Sequence, residues 1–241
     1  YEAKIQSLNE DDYPIIPKLD NNDKYLEFEA DFFKQALLQV ITSAQISEIR
    51  PEISGVLFDY QTTILKLVAT DSFRLAEKTI YNNQFKTNFD KSFKVIVPLK
   101  TVQEVLRIFP NDQTIKISLD ENQILFINND VELISRLIEG VYPDYEQIIP
   151  KEFESEVSLE KEYLVNALKL VSNFSGKVND IRLKFQENQR VLEVYSSNQY
   201  LGENNYLIPS KINGAAFSDI AFNWRYLLDG LKAVGTGNII F

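Results

Sequence analysis

The order of helix-like and strand-like segments in residues 25–150 starts again after Pro150, and this duplication restricts the chain to folds built from two copies of one unit. Gln35-Ala36-Leu37-Leu38-Gln39-Val40 aligns with Asn166-Ala167-Leu168-Lys169-Leu170-Val171, which moves position 35 to 166, a displacement of 131 residues. Val102, Leu106 and Phe109 fall on Leu227, Leu231 and Val234, which moves 102 to 227, a displacement of 125. A period of that size is a whole domain, whereas solenoid repeats are much shorter.

Within the first unit, Phe33, Leu37, Val40 and Ile41 recur at helical spacing and predict a helix over 30–44. Strands are expected over 55–60, 64–70 and 74–80, then a polar loop over 81–91 and a strand over 93–97. A second helix is expected over 98–109, with Pro98 tolerated in its first turn and Pro110-Asn111-Asp112 stopping it. Strands over 114–119, 123–128 and 131–139 complete the unit. Consecutive strands without alternating helices argue for antiparallel sheets in an α+β domain, with two helices packed on one side. Ahead of the first unit, the Pro- and Asp-rich run 11–23 reads as a strand tail and linker.

Composition narrows the chemistry. The 241 residues contain no cysteine and no histidine. Disulfides and thiolate chemistry are therefore excluded, and the commonest general base and metal ligand are missing. The cytoplasm is the simplest setting, and no apolar run approaches the length of a membrane span. A net charge of −10 argues against general affinity for nucleic acid, so any such affinity must come from where the 25 basic residues sit. The chain starts at Tyr1, contains no methionine and stops in the strand-like Asn-Ile-Ile-Phe; a piece of a longer chain is expected.

Some bases do repeat. Lys100 and Arg107 are seven apart and share a helix face, and Arg225 and Lys232 repeat that spacing 125 residues later. Glu104 and Asp229 correspond in the same way. A solvated face laced with acid–base pairs and a face that meets phosphate both account for this pattern. Lys34 and Arg50 in the first unit, and Lys169 and Lys177 in the second, are further candidates for a phosphate-facing surface.

Two apolar strands run into abrupt turns. In Thr70-Asp71-Ser72-Phe73-Arg74-Leu75 the Asp and Ser favour a tight hairpin turn, which an Asp71–Arg74 pair would lock. A nucleophilic Asp71 or Ser72 would lack a base partner and a phosphate-cradling loop. In Gly140-Val141-Tyr142-Pro143-Asp144-Tyr145 the proline fixes an extended-to-turn transition, and Asp144 is placed to cap the turn after it. Its position between the repeats makes this a linker.

The stretches 67–76, 136–150 and 220–229, in this order and at this spacing, resemble the bacterial DNA sliding clamp family, the β subunit of DNA polymerase III. The resemblance covers nearly the whole chain and implies the α+β DNA-clamp fold, with duplicated domains that each pack two helices on antiparallel sheets. Residues 1–24 would be the end of clamp domain 1 and a linker, 25–150 the middle domain, and 151–241 the C-terminal domain. The family's rings are head-to-tail homodimers that encircle and slide on duplex DNA. They tether the replicative polymerase, the clamp loader and other clamp-motif proteins such as repair polymerases, mismatch repair factors and ligase. On this likeness the bases at 100, 107, 225 and 232, with Lys34, Arg50, Lys169 and Lys177, face DNA. The partner-peptide pocket is formed by Ile53, Thr70, Ser72, Phe73, Arg74 and Leu75, by Pro143 and Ile148 of the linker, and by Val178, Asn223 and Tyr226. Where the family often has Gly-His this chain has Ser72-Phe73, and Gln147 stands near a usual basic residue; both changes make the pocket more apolar or less charged. No catalytic residue, metal or cofactor is implied. Two alternatives predict otherwise. A duplicated β-rich scaffold without a DNA role would leave the bases scattered. A hydrolase or transferase using Asp71 or Ser72 would hold a second carboxylate or a lysine in a deep pocket.

Overall fold

A computed structural model describes residues 2–9, 19, 23–185, 190–215 and 219–241. Most of the expected strand tail and linker over 11–23 lies outside the described residues.

The first half runs β1 (Leu26–Glu29), α1 (Ala30–Ile41), β2 (Gly55–Tyr60), β3 (Ile64–Thr70), β4 (Leu75–Tyr81), β5 (Lys86–Thr87), β6 (Phe93–Pro98), α2 (Leu99–Ile108), β7 (Thr114–Leu119), β8 (Gln123–Ile127) and β9 (Glu132–Arg136). The second half runs β10 (Ser155–Glu160), α3 (Lys161–Val171), β11 (Asp180–Phe185), β12 (Val191–Asn198), β13 (Gly202–Pro209), β14 (Lys211–Gly214), β15 (Ile220–Asn223), α4 (Trp224–Ala233) and β16 (Asn238–Ile240). α3 starts 131 residues after α1 and α4 starts 125 after α2, the two displacements expected from the sequence.

Strand pairing repeats with the helices. In the first half the sheets are β5-β1-β7-β8-β9 and β4-β3-β2-β6; in the second they are β14-β10-β16 and β13-β12-β11-β15. Pairing within these sheets is antiparallel throughout the described residues, so each half is the α+β unit expected.

Each half has its own core. In the first, Phe33, Leu37 and Val40 of α1 and Val102 and Val105 of α2 meet Phe28, Phe58, Tyr60, Ile117 and Phe126 from both sheets. In the second, Leu164, Leu168 and Val171 of α3 meet Leu183, Val194, Ile208 and Ile239. α1 touches both α2 and α4, and α4 touches α3, so the four helices form one row across the junction.

Local differences from the sequence reading have local causes. α1 stops at Ile41, because Thr42 is its C-cap and Ser43 and Ala44 close the turn back onto Val40 and Ile41. Pro98 ends β6 and is the N-cap of α2, outside the first turn, and its extended backbone (φ −53°, ψ 140°) keeps it paired with Gly55. The last strand stops at Arg136, after which Ile138 crosses over to bridge Ile96 of β6. A third apolar cluster forms beyond this crossover. Tyr142 and Tyr145 of the connecting segment cover Leu57, Val68 and Ile96 on the sheet face turned from the helices. Every residue of β2 is buried for that reason, Asp59 included.

Candidate functional site

The β3–β4 hairpin turn is fixed by its own side chains. Asp71 Oδ1 accepts the backbone N–H groups of Phe73 (3.0 Å) and Arg74 (2.9 Å), while its Oδ2 accepts from Arg74 Nε (3.1 Å). Thr70 Oγ1 donates to the Arg74 carbonyl (2.7 Å) and accepts from Ser72 N–H (3.1 Å). Ser72 sits at φ +73°, in the left-handed region, where a non-glycine residue is uncommon and needs its surroundings to hold it. The Asp71–Arg74 lock expected from their spacing is present. It commits both carboxylate oxygens to the turn.

Arg74 also joins the two halves. Its Nη1 donates to Asp229 Oδ2 of α4 at 2.7 Å, and its guanidinium lies 4.4 Å from the ring centroid of Tyr226. Burial disfavours the charge, but the hydrogen bonds to Asp229 and Asp71 more than offset it and raise the pKa.

Beside this turn lies a cleft of about 340 Å³, lined by Arg50, Thr70, Ser72, Phe73, Arg74, Leu75, Pro143, Asp144, Tyr145 and Ile148. Seven residues expected at a peptide pocket are therefore brought together here. Ile53 is buried in a short 3-10 turn and offers no surface. Val178 is 77% exposed and does not line the cleft, nor does Asn223, whose side chain caps α4 by accepting from Arg225 N–H (3.0 Å). Tyr226 bears on the site through Arg74.

Three lining residues depart from the sequence reading. Arg50, expected among the phosphate-facing bases, donates from Nη1 to Ser72 Oγ (3.0 Å) and from Nε to Glu52 (3.0 Å), which draws it to the cleft. Asp144 caps no backbone group of the following turn and instead accepts from the Gln147 side chain (2.6 Å). Tyr145 donates to Glu77 Oε2 (2.7 Å), and Lys66 bridges Glu146 (2.7 Å) and Glu77 (3.5 Å), which pins the linker wall to β3 and β4. The available signal was Lys66 between the apolar Leu65 and Leu67, which puts it on the sheet face opposite theirs.

The helix bases divide by partner. Lys100, Arg107, Arg225 and Lys232 are all exposed on α2 and α4. Arg107 Nε donates to Glu104 (2.9 Å), Lys232 lies 3.8 Å from Asp229, and Arg225 donates to Asn179 (3.1 Å) and stacks on Trp224 (4.6 Å). Lys100 forms no ion pair among the described residues, and Lys169 and Lys177 are exposed in the second half. Lys34 is placed differently from the expectation: its ammonium donates to the Phe109 carbonyl (2.8 Å) and to Asn111 (2.6 Å), closing the C-terminus of α2. Lys161 does the same for Val234 at the end of α4 (2.8 Å).

Among the described residues no helix is long and apolar enough to cross a membrane, and no cluster of three or more acidic side chains is built to hold a metal.

The duplicated two-helix, two-sheet unit is the DNA-clamp fold. The solved sliding clamp of Bacillus subtilis superposes with a TM-score of 0.89 at 27% identity, covering 97% of this chain and 61% of that one. The DNA polymerase III beta chain of Streptococcus pneumoniae superposes with a TM-score of 0.87 at 27% identity, over 97% and 61%. Residues 27–144 match the profile of the DNA polymerase III beta subunit central domain, and 146–241 match that of its C-terminal domain. The beta sliding clamp of Staphylococcus aureus is 28% identical over 239 residues, 99% of this chain and 62% of the relative. The chain belongs to the DNA polymerase III beta subunit family, the beta sliding clamps, and spans somewhat under two thirds of the length of these relatives.

Proposed function

We propose that the complete protein is a cytoplasmic, non-catalytic processivity factor: a homodimeric ring that encircles duplex DNA and tethers the replicative polymerase. Residues 25–150 would be its middle domain, 151–241 part of its C-terminal domain, and 1–24 the end of the preceding domain with its linker. The clamp loader and other clamp-motif proteins would share the same docking cleft. Cleft geometry at the hairpin and linker supports this reading best. An open groove with exposed apolar walls and a few fixed polar groups suits an extended peptide. Such a peptide loses conformational freedom on binding, so its affinity is modest and partners exchange. Processivity then comes from effective concentration at the primer end. The exposed bases of α2 and α4 would position the duplex without reading its sequence, and an acidic remainder would keep DNA off other surfaces.

The test is fluorescence polarisation with a labelled Gln-x-x-Leu-Phe-type peptide. Saturable binding at roughly micromolar concentration is expected, and it should be lost in an Arg74→Ala, Tyr226→Ala double variant that retains its circular dichroism. Lack of saturation by folded wild-type protein would sink the peptide-docking reading.

A further inference from the structure

We infer that Phe73 is a specificity-determining residue of the cleft, forming with Ile148 an apolar rim that selects partner peptides carrying an extra aromatic side chain beside their anchors. The inference rests on the peptide-docking reading above.

Phe73 is 82% exposed and Ile148 is 70% exposed, yet both line the same cleft. They come from separate walls, Phe73 from the β3–β4 turn and Ile148 from the 3-10 turn 146–148. Isolated apolar residues on a surface are ordinary, but two exposed ones lining the same groove are a binding feature. Phe73 is also held rigidly outward. Its own N–H goes to Asp71 Oδ1, the next N–H goes to the same oxygen, and Ser72 is set at φ +73° by Thr70 and Arg50. The backbone beneath the ring is therefore already ordered, so binding has only the Phe73 side-chain rotamer left to fix, and an aromatic partner with few rotamers of its own adds little further cost. The neighbouring polar groups do not compete for this role. Arg74 is committed to Asp71, Asp229 and Tyr226, and Asp144 to Gln147, so the rim's unsatisfied surface is apolar.

Three labelled peptides test this: a Gln-x-x-Leu-Phe-type core extended by Trp at its N-terminal end, by Trp at its C-terminal end, or by Ala at both. One Trp extension is expected to bind wild-type protein roughly 3- to 10-fold more tightly than the Ala peptide, the range of an aromatic pair. Phe73→Ala should abolish that gain, so that the Trp-extended and Ala peptides bind the variant alike, and Ile148→Ala should reduce the ratio between them. Two results overturn the inference: neither Trp extension gains affinity, or the gain survives Phe73→Ala. If no peptide binds the folded wild type, the docking reading itself fails and takes the inference with it.

Discussion

Arg74 has more structural obligations than any other side chain of the cleft, and they divide into near and far. The near one, the Asp71 carboxylate three residues back, was readable from the Asp-x-x-Arg spacing. Asp229, 155 residues away, was not, because a through-space pairing leaves no trace in local spacing. Lys34 shows the same limit: the sequence offered it as a phosphate-facing base, while its contacts to Phe109 and Asn111 depend on where α2 ends. The turn's stability should depend chiefly on the near obligation. Asp71→Ala removes the acceptor of two backbone N–H groups and of Arg74 Nε at a buried position. The expected loss is about 2–4 kcal/mol, since those donors stay desolvated. Asp71→Asn keeps an acceptor and should cost about 1 kcal/mol. Urea unfolding of both variants measures this; equal losses would show that the carboxylate's charge rather than its geometry holds the turn.

The connecting segment matters more as an element than its linker-like sequence implied. β2 was legible as a strand from its apolar run, but that run alone does not show what covers its second face. Tyr142 and Tyr145 do so; Glu77 holds Tyr145, and Lys66 ties the adjoining Glu146 to the same sheet. Burial raises the pKa of both phenols, and in Tyr145 the Glu77 carboxylate adds to the effect. A tyrosine free in the unfolded chain ionises near pH 10. The fold favours the neutral phenols, so their stabilisation is fully present below about pH 10 and is lost as pH rises beyond it. Lys66 has the same sign: hydrogen bonding to Glu146 outweighs burial and raises its pKa, so its contribution also fades in alkali. Glu146 is lowered, chiefly by its hydrogen bond to Lys66, and its contribution fades instead as pH falls below the ordinary carboxylate range. Through about pH 9–12 these two phenols should stay un-ionised while the protein is folded, so a Tyr142→Phe, Tyr145→Phe double variant should reach the same tyrosinate absorbance as wild type. A plateau lowered by the double substitution would show that the two phenols ionise with the rest and would refute this account of the strap.

At the scale of the molecule, the duplicated element order was legible because helix spacing and strand alternation survive where residue identity does not: Phe33 and Leu164, or Val102 and Leu227, keep their places while changing side chain. The energetic inequality of the copies was not legible in that pattern. The first core is rich in aromatics, with Phe28, Phe33, Phe58, Tyr60, Phe109 and Phe126 fully buried, whereas the buried members of the second are aliphatic among the described residues. Aromatic side chains bury far more area each, so the second half is expected to unfold first. The chain carries its own reporter, since its single tryptophan, Trp224, begins α4 and donates to Ser175 Oγ at 3.1 Å. In urea, the Trp224 emission change should precede the loss of far-ultraviolet circular dichroism, which both halves contribute, so the two-state description should fail. The halves are coupled through α1 against α4 and through Arg74–Asp229. Asp229→Asn should therefore move the fluorescence midpoint to lower urea, leave the later transition in place and widen the gap between them. Coincident curves in both wild type and variant would mean that the junction binds the two cores into one cooperative unit.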